Sequence, residues 1–126
     1  MKIRVLISLC FLGVPCRYHG QAVASPSKIA RLSAKYELIP VCPEVLGGLP
    51  VPRTPAPLRR KRVDTITDVL GRDVSAEFIA GAKATLRIAQ QHHCLKAYLC
   101  KGSPSCDKRG FAGELLIRNG IKVINL

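Results

Sequence analysis

The chain has 126 residues, room for one domain with one hydrophobic core. Its 48% apolar content excludes a disordered chain, and with 5% aromatic residues and no Trp the core must rest on Val, Ile, Leu and Ala. Twenty basic against eight acidic residues give a net charge of +12, which favours anionic partners such as nucleotides, RNA or a membrane surface, or else a solvated basic exterior.

Residues 2–9, KIRVLISL, are apolar and β-branched, with a length suited to a strand buried on both faces. The same region has features of a secretory leader. Lys2 and Arg4 precede an apolar run over 5–15, and Ala22-Val23-Ala24 offers a small-residue cleavage pattern before Ser25. Against a leader stand the cysteines, Gly13 and Pro15 of that run, and the polar CRYHGQ between it and the cut. A leader would also remove a strand that the rest of the pattern needs. The expectation is a core strand and a cytoplasmic protein. No other run approaches the roughly 20 apolar residues of a spanning helix, so no membrane partner is expected.

Residues 25–36, SPSKIARLSAKY, predict a short amphipathic helix, with Ser25 or Ser27 as N-cap, Pro26 in the first turn, and Ile29 and Leu32 on one face. ELIPVC, 37–42, predicts a second strand, in which Pro40 is tolerated only near an edge or an end. From 43 to 62 Gly and Pro are dense, which predicts an irregular loop, rich in Arg toward its end and running on to 72. The main helix is expected over 73–93, capped by Ser75, with Phe78, Ile79, Ala82, Leu86 and Ala89 repeating at three-and-four spacing. His92 and His93 close its last turn, where the helix dipole explains them better than a metal does. LKAYLC, 95–100, is a third strand; RGFAGELLIRNG, 109–120, a helix stopped by Asn119-Gly120; IKVIN, 121–125, a fourth strand. The alternation predicts a single α/β domain over 1–126: a small parallel sheet of about four strands, flanked by helices and wound right-handed.

Six cysteines are the informative count. In a secreted chain they suggest three disulfides; in a cytosolic one, metal or redox chemistry. Ligands of an open parallel sheet bind beyond the carboxyl ends of its strands. Cys10 lies just past strand one, Cys42 ends strand two, and Cys106 lies in the loop after strand three. Three cysteines distant in sequence are therefore expected to meet on one edge of the sheet. Each has Gly or Pro nearby (SLCFLG, VCPE, SPSC), which stiffens its loop and leaves N–H groups to face a thiolate. Soft thiolates suit zinc or an iron–sulfur cluster. Structural zinc wants a fourth ligand and often a C-x-x-C pair, which this chain lacks. The plain alternative for each cysteine is a small buried hydrophobe. Cys94 and Cys100 are expected in the core, and Cys16 stands near enough to Cys10 to be a spare ligand.

SLCFLGVPCRYHG (8–20), PVCPEVLGGLPVPR (40–53), SPSC (103–106) and the ending LLIRNGIKVIN together resemble the thiouracil desulfurase family, nearly end to end. The resemblance implies a Rossmann-like domain holding an oxygen-sensitive [4Fe-4S] cluster. By the family pattern its ligands are Cys10, Cys42 and Cys106, with Cys16 at a variable position. The acid/base carboxylate matches Glu44 and the site serine Ser103; Ser105 and Arg17 are the substrate-binding candidates. A cluster with three protein ligands leaves one iron open to a thiocarbonyl sulfur. The implied reaction is hydrolysis of 2-thiouracil or a related thiolated base to uracil and sulfide, without net redox change.

The chain departs from the family pattern in two places. Asp107 rather than Gly follows the last cysteine, and DKRG leads almost directly to the helix, so roughly a dozen loop residues are missing by ordinary loop lengths. The segment between Arg53 and Asp73 is also short and carries the basic run RRKR, 59–62. A more open site is expected. The basic run predicts a solvated loop or, more sharply, phosphate contact with a thiolated nucleotide or tRNA. Two other classes stay open: a cluster-carrying or nucleic-acid-binding protein without catalysis, and a secreted, disulfide-bonded basic protein.

Overall fold

The structure is a computed structural model that describes residues 2–22 and 24–126. Four strands, β1 (Ile3–Ser8), β2 (Tyr36–Val41), β3 (Lys96–Leu99) and β4 (Lys122–Asn125), form one parallel sheet in the order β2-β1-β3-β4. Four helices connect them: α1 (Pro26–Lys35), α2 (Pro43–Leu46), α3 (Ser75–Gln91) and α4 (Phe111–Arg118). This is the small parallel α/β sheet that the alternation predicts.

The apolar run at the start of the chain becomes β1, which pairs with β2 on one side and β3 on the other. Val5, Leu6 and Ile7 are fully buried there, each contributing about 1.5–3 kcal/mol by its removal from water. A cut before Ser25 would take this interior strand out of the sheet. The expected cleavage pattern itself includes Val23, which lies outside the described residues. Pro40 sits in β2, an edge strand, where its missing N–H leaves no ladder partner wanting. No helix among the described residues is long and apolar enough to cross a membrane.

Two expectations about where helices start need correction. The stretch after β2 is not irregular from its start, because α2 begins directly behind Cys42 with Pro43 in its first position and Glu44 in its first turn. Pro pre-sets the helical φ and the acidic side chain suits the helix N-terminus, so both residues start a helix that Gly47-Gly48 then ends. Nor does Ser75 cap α3 with its hydroxyl. Val74 is the N-cap; the Asp73 carboxylate accepts the Ser75 amide at 2.9 Å, and Ser75 Oγ accepts the Ile66 amide at 2.8 Å. Ser75 thus pins the preceding loop to the helix.

α3 packs against both α2 and α4. Phe78 and Phe111 meet edge to face at 5.6 Å in a second, smaller core with Ile66, Ala82 and Ala112. Arg59 covers that core. Its guanidinium lies 4.2 Å over the Phe111 ring, donates to the Arg109 carbonyl at 2.7 Å and pairs with Glu114 at 3.3 Å, while Arg62 also reaches Glu114. The solvated-loop expectation therefore fails for Arg59, whose side chain is 7% exposed, because an aromatic face and a helix carboxylate stand where it can satisfy both its stem and its charge.

α2 and α3 touch backbone to backbone. A Cβ added at Gly81 would lie 1.9 Å from the Pro43 carbonyl oxygen, and one at Gly47 would lie 1.9 Å from that of Glu77. Helix propensity alone makes Gly81→Ala stabilising by about 1 kcal/mol, but the overlap with rigid backbone costs about 1–3 kcal/mol. The expected result is a lower denaturant midpoint for Gly81→Ala. A midpoint at or above that of the parent would show that α2 is free to move away.

Candidate active site

Ser8 pairs with Val41, Ile7 with Tyr98, and Leu99 with Asn125, so the four strands end at nearly one level. The loops leaving β1, β2 and β3 carry Cys10, Cys42, and Cys100 with Cys106. They open on a single cavity of about 310 Å³ at the rim of the sheet. Between β1 and β3 the chain's direction of winding reverses, which is where such sheets hold their ligands.

The three cysteines expected as ligands all line this cavity, as do Cys16 and Cys100. Cys94 and Cys100 are both buried in the core, as expected, and Cys100 in addition lines the cavity beside Cys10. All six cysteines are free, which leaves no support for a disulfide scaffold. Burial pushes the Cys106 thiol up to about 12. The Cys10 thiol is pushed up by its hydrogen bond to Cys100 and by burial, and Cys100 is lowered by the same bond. Burial, then the nearby Cys42 charge, pushes Cys16 up to about 12. Thiols crowded out of water in this way hold their protons until a cation takes their place. No three His, Cys, Asp or Glu among the described residues stand close enough to bind one metal ion. A polynuclear cluster asks for something different, one thiolate on each of several irons around a shared space. Three free thiols from three separate loops around one cavity fit that demand.

Buried polar groups missed at the sequence level fix the loop of Cys106. Ser8 is 2% exposed; its Oγ accepts the Cys100 amide at 2.9 Å and donates to Cys106 Sγ at 3.8 Å. Asn125 Nδ2 donates to the Cys106 carbonyl at 3.1 Å, and its Oδ1 accepts the Lys108 amide. Ser103 Oγ accepts the amides of Ser105 and Cys106 at 3.2 and 3.1 Å. The α4 amides of Phe111, Ala112 and Gly113 are taken by the carbonyls of Pro104 and Ser105. Asp107 accepts the Gly102 amide at 2.8 Å and so closes the loop on itself. The expected openness is offset in part by the strap 55–58, which walls the cavity from the other side.

Glu44, at the start of α2, also lines the cavity. One of its oxygens accepts from Arg53 Nε at 2.9 Å and the other from Ser105 Oγ at 3.2 Å. The ion pair is part-buried, with the Glu44 and Arg53 side chains 13% and 6% exposed, so little water screens it. Ser105, expected as a substrate contact, is 2% exposed and outside the cavity lining, and it donates to Glu44, which lines it. Ser103 and Arg17 do line the cavity, and Arg53 joins them as a residue that sequence reasoning passed over. A charged residue closing the apolar stretch GGLPVPR was the available signal.

The profile of the 2-thiouracil desulfurase family matches residues 5–125. The chain belongs to the 2-thiouracil desulfurase family. The uncharacterized protein YbbK of Bacillus subtilis is 36% identical over 132 aligned positions, which cover 93% of this chain and 85% of YbbK. That alignment is longer than the chain, so YbbK carries residues that this chain lacks. The solved structure of TudS, a [4Fe-4S]-dependent thiouracil desulfidase, matches this chain with a TM-score of 0.88 at 34% identity, over 98% of this chain and 91% of that one.

Ser8 gives the loop anchoring its test. Ser8→Ala leaves the buried Cys100 amide without an acceptor, which is expected to destabilise the protein by about 1–3 kcal/mol. Equilibrium denaturation of the metal-free chain measures it, and a loss within a few tenths of a kcal/mol would mean that the loop is held by other contacts.

Proposed function

We propose that this chain hydrolyses the carbon–sulfur bond of 2-thiouracil or a related thiolated base, using a [4Fe-4S] cluster held by Cys10, Cys42 and Cys106. The observation that carries this reading is the joint lining of one cavity by three free thiols from three strand ends and by the part-buried Glu44–Arg53 pair. The family membership and the likeness to a desulfidase of the same fold support it. When bound, the cluster supplies a soft Lewis-acidic iron whose open position suits a thiocarbonyl sulfur.

The chain's own residues supply the acid and base. Glu44 accepts a proton from water as the water oxygen forms its bond to the ring carbon. The carbon–sulfur bond breaks, and sulfur leaves as hydrogen sulfide carrying both protons of that water. Thiocarbonyl and water give carbonyl and hydrogen sulfide, so no electrons are gained or lost. Ser103 already accepts two amides through its oxygen and keeps its own proton to donate to the substrate. Arg17 lines the cavity as a second polar contact. The cavity, about 310 Å³, lies at the small end of the range of roughly 300–1,000 Å³ typical of ligand sites. With Arg59 and Arg62 engaged by Glu114, the basic run offers fewer free cations to a phosphate backbone. Both points favour a free base over a nucleotide or tRNA.

Anaerobic reconstitution is expected to give about four irons per chain and sulfide release from 2-thiouracil. Glu44→Gln is expected to keep its iron and lose about 10²–10⁴-fold in rate, whereas Cys106→Ser loses iron. A Glu44→Gln protein as fast as its parent, or a parent that takes up no iron, would sink the proposal. Iron uptake without sulfide release would leave a cluster carrier instead.

A further inference from the structure

Glu44 stands between two cavities. It lines the thiol cavity, and with Arg53 it also lines a second cavity of about 430 Å³ walled by Asp68, Asp73 and Glu77 on the side of α3. The Glu44–Arg53 pair is therefore the partition between them. Arg53 is itself held at several points: its backbone amide donates to the Tyr18 carbonyl at 2.7 Å, its Nη1 to the Pro50 carbonyl at 3.2 Å, and its Nε to Glu44 at 2.9 Å.

We infer that Arg53 is a positioning residue for the reaction: it holds the Glu44 carboxylate at the thiol cavity, with Ser105 fixing the second oxygen. The inference rests on the desulfurase reading and goes beyond it, since neither Arg53 nor Ser105 has a role there. A short acidic side chain on a four-residue helix has other rotamers open to it, including ones turned toward the second cavity. The planar guanidinium, already fixed by Pro50, restricts Glu44 to one of them. The backbone bond from Arg53 to Tyr18 ties this clamp to the loop that follows Cys16. The clamp thus joins two of the walls of the thiol cavity.

A displaced carboxylate lowers the chemical step more than substrate capture, so kcat and kcat/KM are expected to fall together in Arg53→Ala, by about 10²-fold, with KM unchanged. Removing the side chain also joins the two cavities, which gives guanidinium ion in solution a route to the vacated place. Guanidinium chloride at concentrations well below denaturing is therefore expected to restore part of kcat in Arg53→Ala and to leave the parent unchanged. Arg53→Lys keeps the buried charge and covers the case in which the alanine variant does not fold. It is expected to hold parent levels of iron and to show reduced kcat at unchanged KM. Parent kcat in either variant would overturn the inference, as would an alanine variant that folds, binds iron and gains nothing from guanidinium. A parent protein that releases no sulfide from 2-thiouracil would overturn the desulfurase reading and this inference together, so the two failures are told apart by the parent's own activity.

Discussion

Parallel pairing of β1 between β2 and β3 is the constraint on which the rest of the molecule depends. All strands of a parallel sheet point one way, so every loop that leaves a carboxyl end starts on the same rim. The register sharpens this: Ser8, Val41, Leu99 and Asn125 lie in one row, and the residues that follow them begin the site. Cys42 comes one residue after that row, Cys10 two, and Cys100 one. The cavity exists because hydrophobic burial of Val5, Leu6 and Ile7 fixes the central strand, and hydrogen bonds then fix its neighbours.

Polar groups do the finer placement. Ser8 and Asn125, the last residues of β1 and β4, are the rim residues that grip the Cys106 loop. Each is buried or half-buried, so an unmade bond there would cost more than the bond contributes when made. Asp107 performs the same task from within the loop, where its carboxylate accepts the Gly102 amide. The close backbone approach at Gly47 and Gly81 brings α2 against α3 and thereby places Glu44 at the cavity.

Charge is distributed unevenly between surface and interior. Most of the net +12 is borne by exposed side chains, which influence association rather than fold. Arg53 and Arg59 differ from these. Each is more than nine-tenths buried at its side chain, and each closes a loop against a helix carboxylate, Glu44 for one and Glu114 for the other. The irregular segment between β2 and α3 is therefore held by two arginines where it lacks regular structure of its own.

The order of strands and helices, the interior position of residues 3–8, the edge position of the strand with Pro40, and the gathering of Cys10, Cys42 and Cys106 were all legible in the sequence. Hydrophobic period, turn residues and the one-way sense of a parallel sheet are local or topological, and a single chain displays them. The tertiary structure alone decided that Cys100 lines the cavity as well as the core, that Ser105 donates to Glu44, and that Arg59 is covered instead of solvated. Those outcomes depend on partners 50 to 92 positions away, as Arg59 with Arg109, Ser105 with Glu44 and Cys100 with Ser8 illustrate. A side chain's type states what it can bond to, but only packing decides which group stands within 3 Å of it.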